Sequence, residues 1–139
     1  MSLDINFKKS GIDYDGIGAK IDEVSREIRK LKAQLKDLEE QYDDGKISWY
    51  NITHNLNAMA KEAGIYEVLW HPERLEINSA KDVIPILENG IKKLEENPEK
   101  YKKYNPENGW GNYEGLVKFA KAVLSDCHKY PDAIVTSDV

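Results

Sequence analysis

Two polar segments of this chain carry the residue types that ligand chemistry needs. The first, EKYKKYNPENGWGNYEG at positions 99–115, places lysines and aromatic residues before a glycine-rich loop and a helix start. Lysines supply positive charge, free backbone N–H groups at a helix N-terminus bind anions, and aromatic faces stack on bases. The segment therefore indicates a site for a small anionic, nucleotide-like ligand. Its candidate residues are Lys102, Lys103, Asn108, Gly109, Trp110, Gly111, Asn112 and Tyr113.

In this site we expect one of the two lysines to neutralise phosphate, the loop glycines to donate backbone hydrogen bonds, and Trp110 or Tyr113 to stack. The alternative is that the asparagines and glycines only satisfy turn geometry while the tryptophan fills the core. Trp110 distinguishes the two interpretations. It is buried in the alternative, whereas in the ligand site it lines a cleft that faces His54.

The second polar segment, YNITHNLN at positions 50–57, lies within a stretch that has no formal charge between Lys46 and Lys61. Asparagine and histidine suit directed hydrogen bonds in a partly dry place. We expect Asn51, His54 and Asn55 to recognise the polar edges of the ligand. The alternative is a face that packs against another helix or subunit.

No segment carries a complete catalytic or metal signature. Cys127 and His128 are sequence neighbours, so on a helix they point about 100° apart and do not form a nucleophile and base pair. The three histidines lack the spacing of metal ligands on one helix. We therefore expect no enzyme activity, no metal and no cofactor.

A long heptad pattern precedes both segments. Its apolar positions are Ile17, Ile21, Val24, Ile28, Leu31, Leu35, Leu38 and Tyr42. This spacing predicts a coiled-coil helix over residues 17–42, with Glu27 at position g and Lys32 at the following position e. These two charges attract across a parallel dimer. Either later helices or another subunit must cover the first part of the stripe, so we expect a homo-oligomer.

The rest of the chain predicts a compact helical part over residues 46–139. A second helix over 48–63 is expected to form an antiparallel hairpin with the first. Later helices are indicated by a capping box at Ser79 and Asp82, by Asn97-Pro98, and by Asn112 as an N-cap. The terminal stretches LDINFKK and DAIVTS suggest short β-strands that pair with each other or across a subunit boundary. The predicted fold is mainly α, a helical hairpin or bundle with short terminal strands.

Length and composition limit the functional class. The 139 residues fit a single domain, and the net charge of −5 argues against non-specific binding to nucleic acid. The sequence contains no run of 18 apolar residues, so we expect no membrane span. One cysteine and the lack of an N-terminal apolar run predict a reducing cytoplasm.

Two blocks resemble a known group of sequences. NITHNLNAMAKEAGIYEVLWHPERL (51–75) and NPEKYKKYNPENGWGNYEGLVKF (97–119), with the ending YPDAIV, resemble small proteins encoded by bacteriophages and prophages that have no assigned activity. The resemblance covers about two-thirds of the chain and excludes the heptad helix. The family more often has arginine at the position of His71, which argues against a catalytic role there.

The resemblance implies a phage origin and a place in the host cell cytoplasm. Small phage proteins of this kind include many that blunt host defence, some by sequestering nucleotide-derived immune signals between subunits. The leading hypothesis is therefore a ligand-binding protein that sequesters such a signal. The alternative is a structural or adaptor protein that binds a host or phage protein through its coiled-coil helix.

Overall fold

The computed structural model describes residues 1–139, which divide into two compact units, residues 1–47 and residues 48–139. The predicted mainly helical class is confirmed. The helices are α1 (Tyr14–Asp44), α2 (Asn57–Glu62), α3 (Tyr66–Trp70), α4 (Ala80–Glu96), α5 (Pro98–Lys102) and α6 (Tyr113–Lys129), with 3-10 turns at His54–Leu56 and Pro72–Arg74. None of them has both the length and the apolar character that crossing a bilayer requires.

The first unit consists of α1 and the segment before it. Asp13 caps the helix, since its Oδ1 accepts a hydrogen bond from the N–H of Gly16 at 3.0 Å. The helix predicted over residues 17–42 is confirmed and is longer at both ends. All eight apolar residues of its heptad stripe are between 47% and 73% exposed, and the helix buries no residue. The stripe is therefore exposed along its whole length.

The predicted second helix over residues 48–63 is wrong in its first half. Residues 48–53 are not helical, and α-helix begins only at Asn57. Thr53 is extended and its Oγ1 accepts from the N–H of Asn55 at 3.3 Å, so it starts the turn that the sequence had placed in mid-helix. Threonine and asparagine side chains compete with the helical backbone in this way. Trp49, within this non-helical stretch, is 79% exposed.

The two predicted terminal strands are also wrong, because the structure contains no strand. Near the N-terminus Leu3, Ile5 and Phe7 are exposed, and a single two-stranded ribbon has little stability in water. Near the C-terminus the backbone carbonyls of Pro131 and Ala133 accept from the first N–H groups of α4, each at 2.9 Å. These carbonyls satisfy helix-end donors, which is a different use from strand pairing.

The core of the second unit lies where α4 packs against α6 and α2 and α3 cover them. The helix starts predicted at Ser79 and Asn112 are confirmed for α4 and α6, and both helices bury apolar residues in this core. The largest fully buried side chains are Leu56, Met59, Ile65, Leu87, Leu94, Leu116, Val68 and Val83. The core is closely packed at Gly90, because a Cβ added there would overlap the Cγ2 methyl of Ile65.

The non-helical segment is fixed to α6 by Tyr50. Its hydroxyl donates to Asp126, and its ring meets Phe119 edge-on with the centroids 6.2 Å apart. Hydrogen bonds from Ser48 and Tyr50 hold the pKa of Asp126 below its ordinary value near 3.8. The same bond to Asp126 raises the pKa of Tyr50.

We expect Gly90→Ala to destabilise the second unit by about 1–2 kcal/mol, since overpacking against Ile65 outweighs the roughly 1 kcal/mol gain in helix propensity. Asn89→Ala, on the exposed side of the same helix, is the matched control and should be neutral or stabilising. Urea unfolding followed by circular dichroism measures both variants. A Gly90→Ala protein as stable as the control would show that α4 is not closely packed there.

We expect Asp126→Asn to lower the melting temperature at pH 7. Because the folded-state pKa of Asp126 is lowered, its contribution is present above about pH 3.8 and is lost as the pH falls through the folded pKa. The melting curves of wild type and variant should therefore converge once the pH falls below the folded-state pKa of Asp126. Glu76→Gln, at an exposed carboxylate, should follow the wild type throughout. A difference that persists in acid would contradict the assigned role of Asp126.

Candidate functional site

The loop between α5 and α6 is held by three asparagine side chains. The Oδ1 atom of Asn105 accepts from the N–H of Tyr113 at 2.8 Å, and that of Asn108 accepts from the N–H of Trp110 at 2.9 Å. Asn112 is the N-cap predicted for α6, and its Oδ1 accepts from the N–H of Gly115 at 2.8 Å. The composition of the loop is therefore explained by backbone hydrogen bonds that fix its conformation.

Two loop glycines have backbone conformations that other residues rarely adopt. Gly109 has φ 75° and Gly111 has φ 97°. Gly111 also leaves no room for a side chain, because a Cβ there would lie 2.7 Å from Cγ2 of Thr53 and 3.0 Å from Cγ of Leu56. The loop thus rests directly on the segment that carries His54. The two polar segments that the sequence assigned to one site are neighbours at this contact.

Trp110 occupies neither of the positions expected from the sequence. Its side chain is 70% exposed, so it does not fill the core. Two grooves of the second unit lie elsewhere. One, of about 340 Å³, has Ile91 and Leu124 in its lining, and the other, of about 360 Å³, has Ile77 and Val135. Trp110 is largely exposed on the loop and lines neither groove.

Most of the groups that suggested an anion site, several backbone N–H groups and the ring of Tyr113, have partners within the protein. The N–H of Gly109 donates to the carbonyl of Pro106, and the asparagines take those of Trp110, Tyr113 and Gly115. Tyr113 is only 8% exposed and its hydroxyl donates to the carbonyl of Leu94 at 2.8 Å, so it is a core residue.

The two lysines before the loop differ in their surroundings. The Nζ atom of Lys102 lies 3.5 Å from a carboxylate oxygen of Glu99 and 3.8 Å from one of Glu114. Those two acidic groups offset its charge. Lys103 is exposed beside it. Of the two lysines predicted to bind phosphate, Lys103 forms no salt bridge, whereas Lys102 forms two.

His54 is held in one orientation by the core. Its Nδ1 accepts from the indole N–H of Trp70 at 3.1 Å, and Trp70 is buried. A neutral imidazole that accepts at Nδ1 carries its proton at Nε2, so His54 offers a donor at that atom. The side-chain Nδ2 of Asn55 donates a hydrogen bond to Oγ1 of Thr53 at 3.1 Å. Asn51 is exposed. Of this segment, it is Thr53 and Leu56 that the loop touches, through Gly111.

A second cluster was not predicted from the sequence. His71 lies between the hydroxyl of Tyr66, 3.3 Å from Nε2, and a carboxylate oxygen of Glu73, 3.1 Å from Nδ1. The ring of Tyr66 stacks on Trp70 with the centroids 5.3 Å apart, and Nζ of Lys61 lies 4.4 Å from its centroid. The carboxylate orients the imidazole toward the phenol. The bend at Pro72 brings these groups together, and no periodic sequence pattern encodes it.

Comparison with known proteins leaves the site without a precedent. No protein-family model, no curated protein and no solved structure matches this chain. No group of three or more histidine, cysteine, aspartate or glutamate side chains is arranged to hold a metal ion. The resemblance to phage proteins stays a prediction from the sequence.

The contact under Gly111 can be tested with a matched pair of glycine variants. Both glycines have positive φ, so alanine at either costs about 1 kcal/mol in backbone strain. Only Gly111→Ala also presses on Thr53 and Leu56, whereas a Cβ at Gly109 has open space. We expect Gly111→Ala to cost about 1–3 kcal/mol more than Gly109→Ala in urea unfolding. Equal losses would show that the loop does not rest on the His54 segment.

Proposed function

We propose that this protein is an adaptor that binds another protein through the Trp110 surface, which we define as Trp110, Lys103, Tyr104, Asn51 and His54. One observation carries the proposal. An indole that is 70% exposed stands on a loop whose backbone is fixed by asparagine side chains and by a glycine contact with the core.

The energetics of protein interfaces favour such an arrangement. Tryptophan is among the residues that most often dominate binding energy, because its large ring loses much contact with water when it enters a pocket. A loop that is already fixed loses little entropy on binding. In this proposal Lys103, Asn51 and His54 supply the polar rim that protein interfaces have around an aromatic centre. The surface thus has the anatomy of a protein contact.

The shape of the surface separates a protein partner from a small ligand. Pockets for small molecules are concave and bury most of the ligand. Trp110 is largely exposed, and the N–H groups of Gly109, Trp110, Tyr113 and Gly115 are bonded to oxygens of the loop. A projecting anchor fits a pocket on a partner protein.

A small anionic, nucleotide-like ligand is the second candidate. It is favoured by the contact of Gly111 with Thr53, which sets the loop against the segment that carries His54. In this proposal the protein sequesters a nucleotide-derived immune signal and so helps a phage to evade host defence. Thermal unfolding in the presence of linear and cyclic nucleotides tests it, since a ligand at 100 times its Kd raises stability by about 2.7 kcal/mol.

We expect Trp110→Ala to abolish binding to the protein partner while leaving the fold intact. The measurement is quantitative affinity purification from host cells, with wild type, Trp110→Ala and Trp49→Ala compared by mass spectrometry. Trp49 is the matched control because it is also an exposed tryptophan, at 79%. Loss of a hot-spot tryptophan weakens binding by about 2–4 kcal/mol, or roughly 30-fold to 1,000-fold.

The outcomes separate the two candidates. One stoichiometric protein retained by wild type and Trp49→Ala and lost by Trp110→Ala supports the adaptor. A partner that Trp110→Ala still retains refutes the Trp110 surface. A melting temperature that rises with one nucleotide and falls back with His54→Ala supports the small-ligand candidate instead.

A further inference from the structure

The heptad stripe of α1 is a large apolar surface that the Trp110 surface does not explain. All of its residues, from Ile17 to Tyr42, are at least 47% exposed, although α1 has 31 residues and turns its remaining faces, rich in lysine and glutamate, to water. An unbroken apolar stripe along a helix of this length favours association, because it is otherwise hydrated. The stripe requires an occupant.

We propose that α1 pairs with α1 of a second copy of this chain in a parallel, in-register, two-stranded coiled coil. This inference goes beyond the adaptor proposal and does not depend on it. The spacing of the stripe alternates four and three residues without interruption, so its average period of 3.5 keeps it facing a partner helix through the whole length. At 1.5 Å per residue, α1 is about 46 Å long.

The size of the stripe fits a dimer. The exposed parts of its eight residues amount to roughly 800 Å² on each helix, which equals the ~800 Å² per partner of a standard specific interface. Ile21 and Ile28 at a, with Leu31 and Leu38 at d, favour two strands, whereas Val24 at d and Leu35 at a do not share this preference. No charged residue interrupts the a and d positions. A second copy therefore covers the stripe completely.

Charge selects the parallel direction. In a parallel pair Glu27 at position g faces Lys32 at position e of the other copy, and symmetry gives this attraction twice. The other flanking pairs are not repulsive, because each contains an uncharged residue. They are Lys20 with Ser25 and Gln34 with Glu39.

The antiparallel alternative lacks this attraction. With complete overlap of the stripe, Ile17 lies opposite Tyr42, and the flanking residues change partners. Glu27 then faces Gln34, and Lys32 faces Ser25, so neither the glutamate nor the lysine finds an opposite charge. The hydrophobic contacts are similar in the two directions. The Glu27–Lys32 pair is therefore the difference that favours the parallel dimer.

Sedimentation equilibrium on the full chain tests the association. We expect a mass twice that of the 15.9 kDa chain. Replacing Ile28 and Leu31 together by aspartate should weaken dimerisation at least about 100-fold, because two charges would enter each side of the seam. Replacing Arg26 and Ala33 together by aspartate adds the same two carboxylates on the outer face of α1, so this control should stay dimeric. A monomeric wild-type chain at 100 µM, or a trimer or tetramer, overturns the proposal.

Disulfide formation tests the direction. Leu38→Cys places the two new thiols opposite each other only in a parallel, in-register pair, so we expect a rapid intermolecular disulfide under mild oxidation. The wild-type chain controls for Cys127, which is buried. In an antiparallel pair Leu38 faces Ile21, so only a mixture of Leu38→Cys and Ile21→Cys chains would cross-link. That result contradicts the proposed direction.

Charge reversal tests the cause. Glu27→Lys and Lys32→Glu should each weaken the dimer because they place like charges opposite each other, and the double variant should restore wild-type affinity. The expected change is about threefold to tenfold per single variant at low salt, and smaller at high salt. Single variants without effect would remove the electrostatic basis for the parallel direction.

Discussion

The proposed binding surface depends on one close contact, that of the Gly111 backbone with Thr53 and Leu56. Leu56 is 1% exposed and belongs to the core, so the loop is supported by the most buried part of the second unit. A residue with a side chain at this position would lift the loop away from that support. The asparagine hydrogen bonds then fix the loop on this base, and Trp110 projects from it.

Much of the fold follows from local signals in the sequence. The heptad spacing located α1, and the asparagine and proline residues at 97–98 and 112 located the starts of α5 and α6. The capping box at Ser79 and Asp82 located the start of α4. These features are encoded within a few turns of helix, which is why the sequence alone reveals them.

Features that depend on contacts distant in sequence were not predictable in the same way. Residues 48–53 have helical spacing of apolar residues, yet they are held in a non-helical conformation by the bond from Tyr50 to Asp126, 76 residues later. The C-terminal stretch resembles a strand, but its carbonyls meet the first turn of α4. Propensity is a weak guide where such tertiary contacts exist.

In the candidate site, too, local features were predicted from the sequence and features set by distant contacts were not. The sequence identified the unusual residues and placed the two segments together, and Gly111 does join them. It did not reveal that Tyr113 is buried and bonded to Leu94, or that Trp110 is exposed, because both depend on how α6 packs on α4. The burial of Tyr113 and the exposure of Trp110 turn a nucleotide-type composition into a projecting aromatic surface.

The molecule separates two kinds of surface between its two units. The first unit offers an apolar stripe with little side-chain diversity, which suits pairing with an identical helix. The second unit has a closed apolar core and presents Trp110 as an aromatic projection on a loop held by asparagine hydrogen bonds. A dimer would carry two copies of that projection, and two linked sites bind a repeated or dimeric partner more tightly than one.

The most direct measurement of the central idea, a rigid loop that presents an exposed indole, is ¹⁵N NMR relaxation of residues 108–112 together with the indole N–H of Trp110. We expect backbone order parameters near 0.85, equal to those of α4 and α6, while the indole N–H exchanges rapidly with water. Order parameters below about 0.6 in the loop would contradict a fixed anchor. An indole N–H protected from exchange would contradict its exposure.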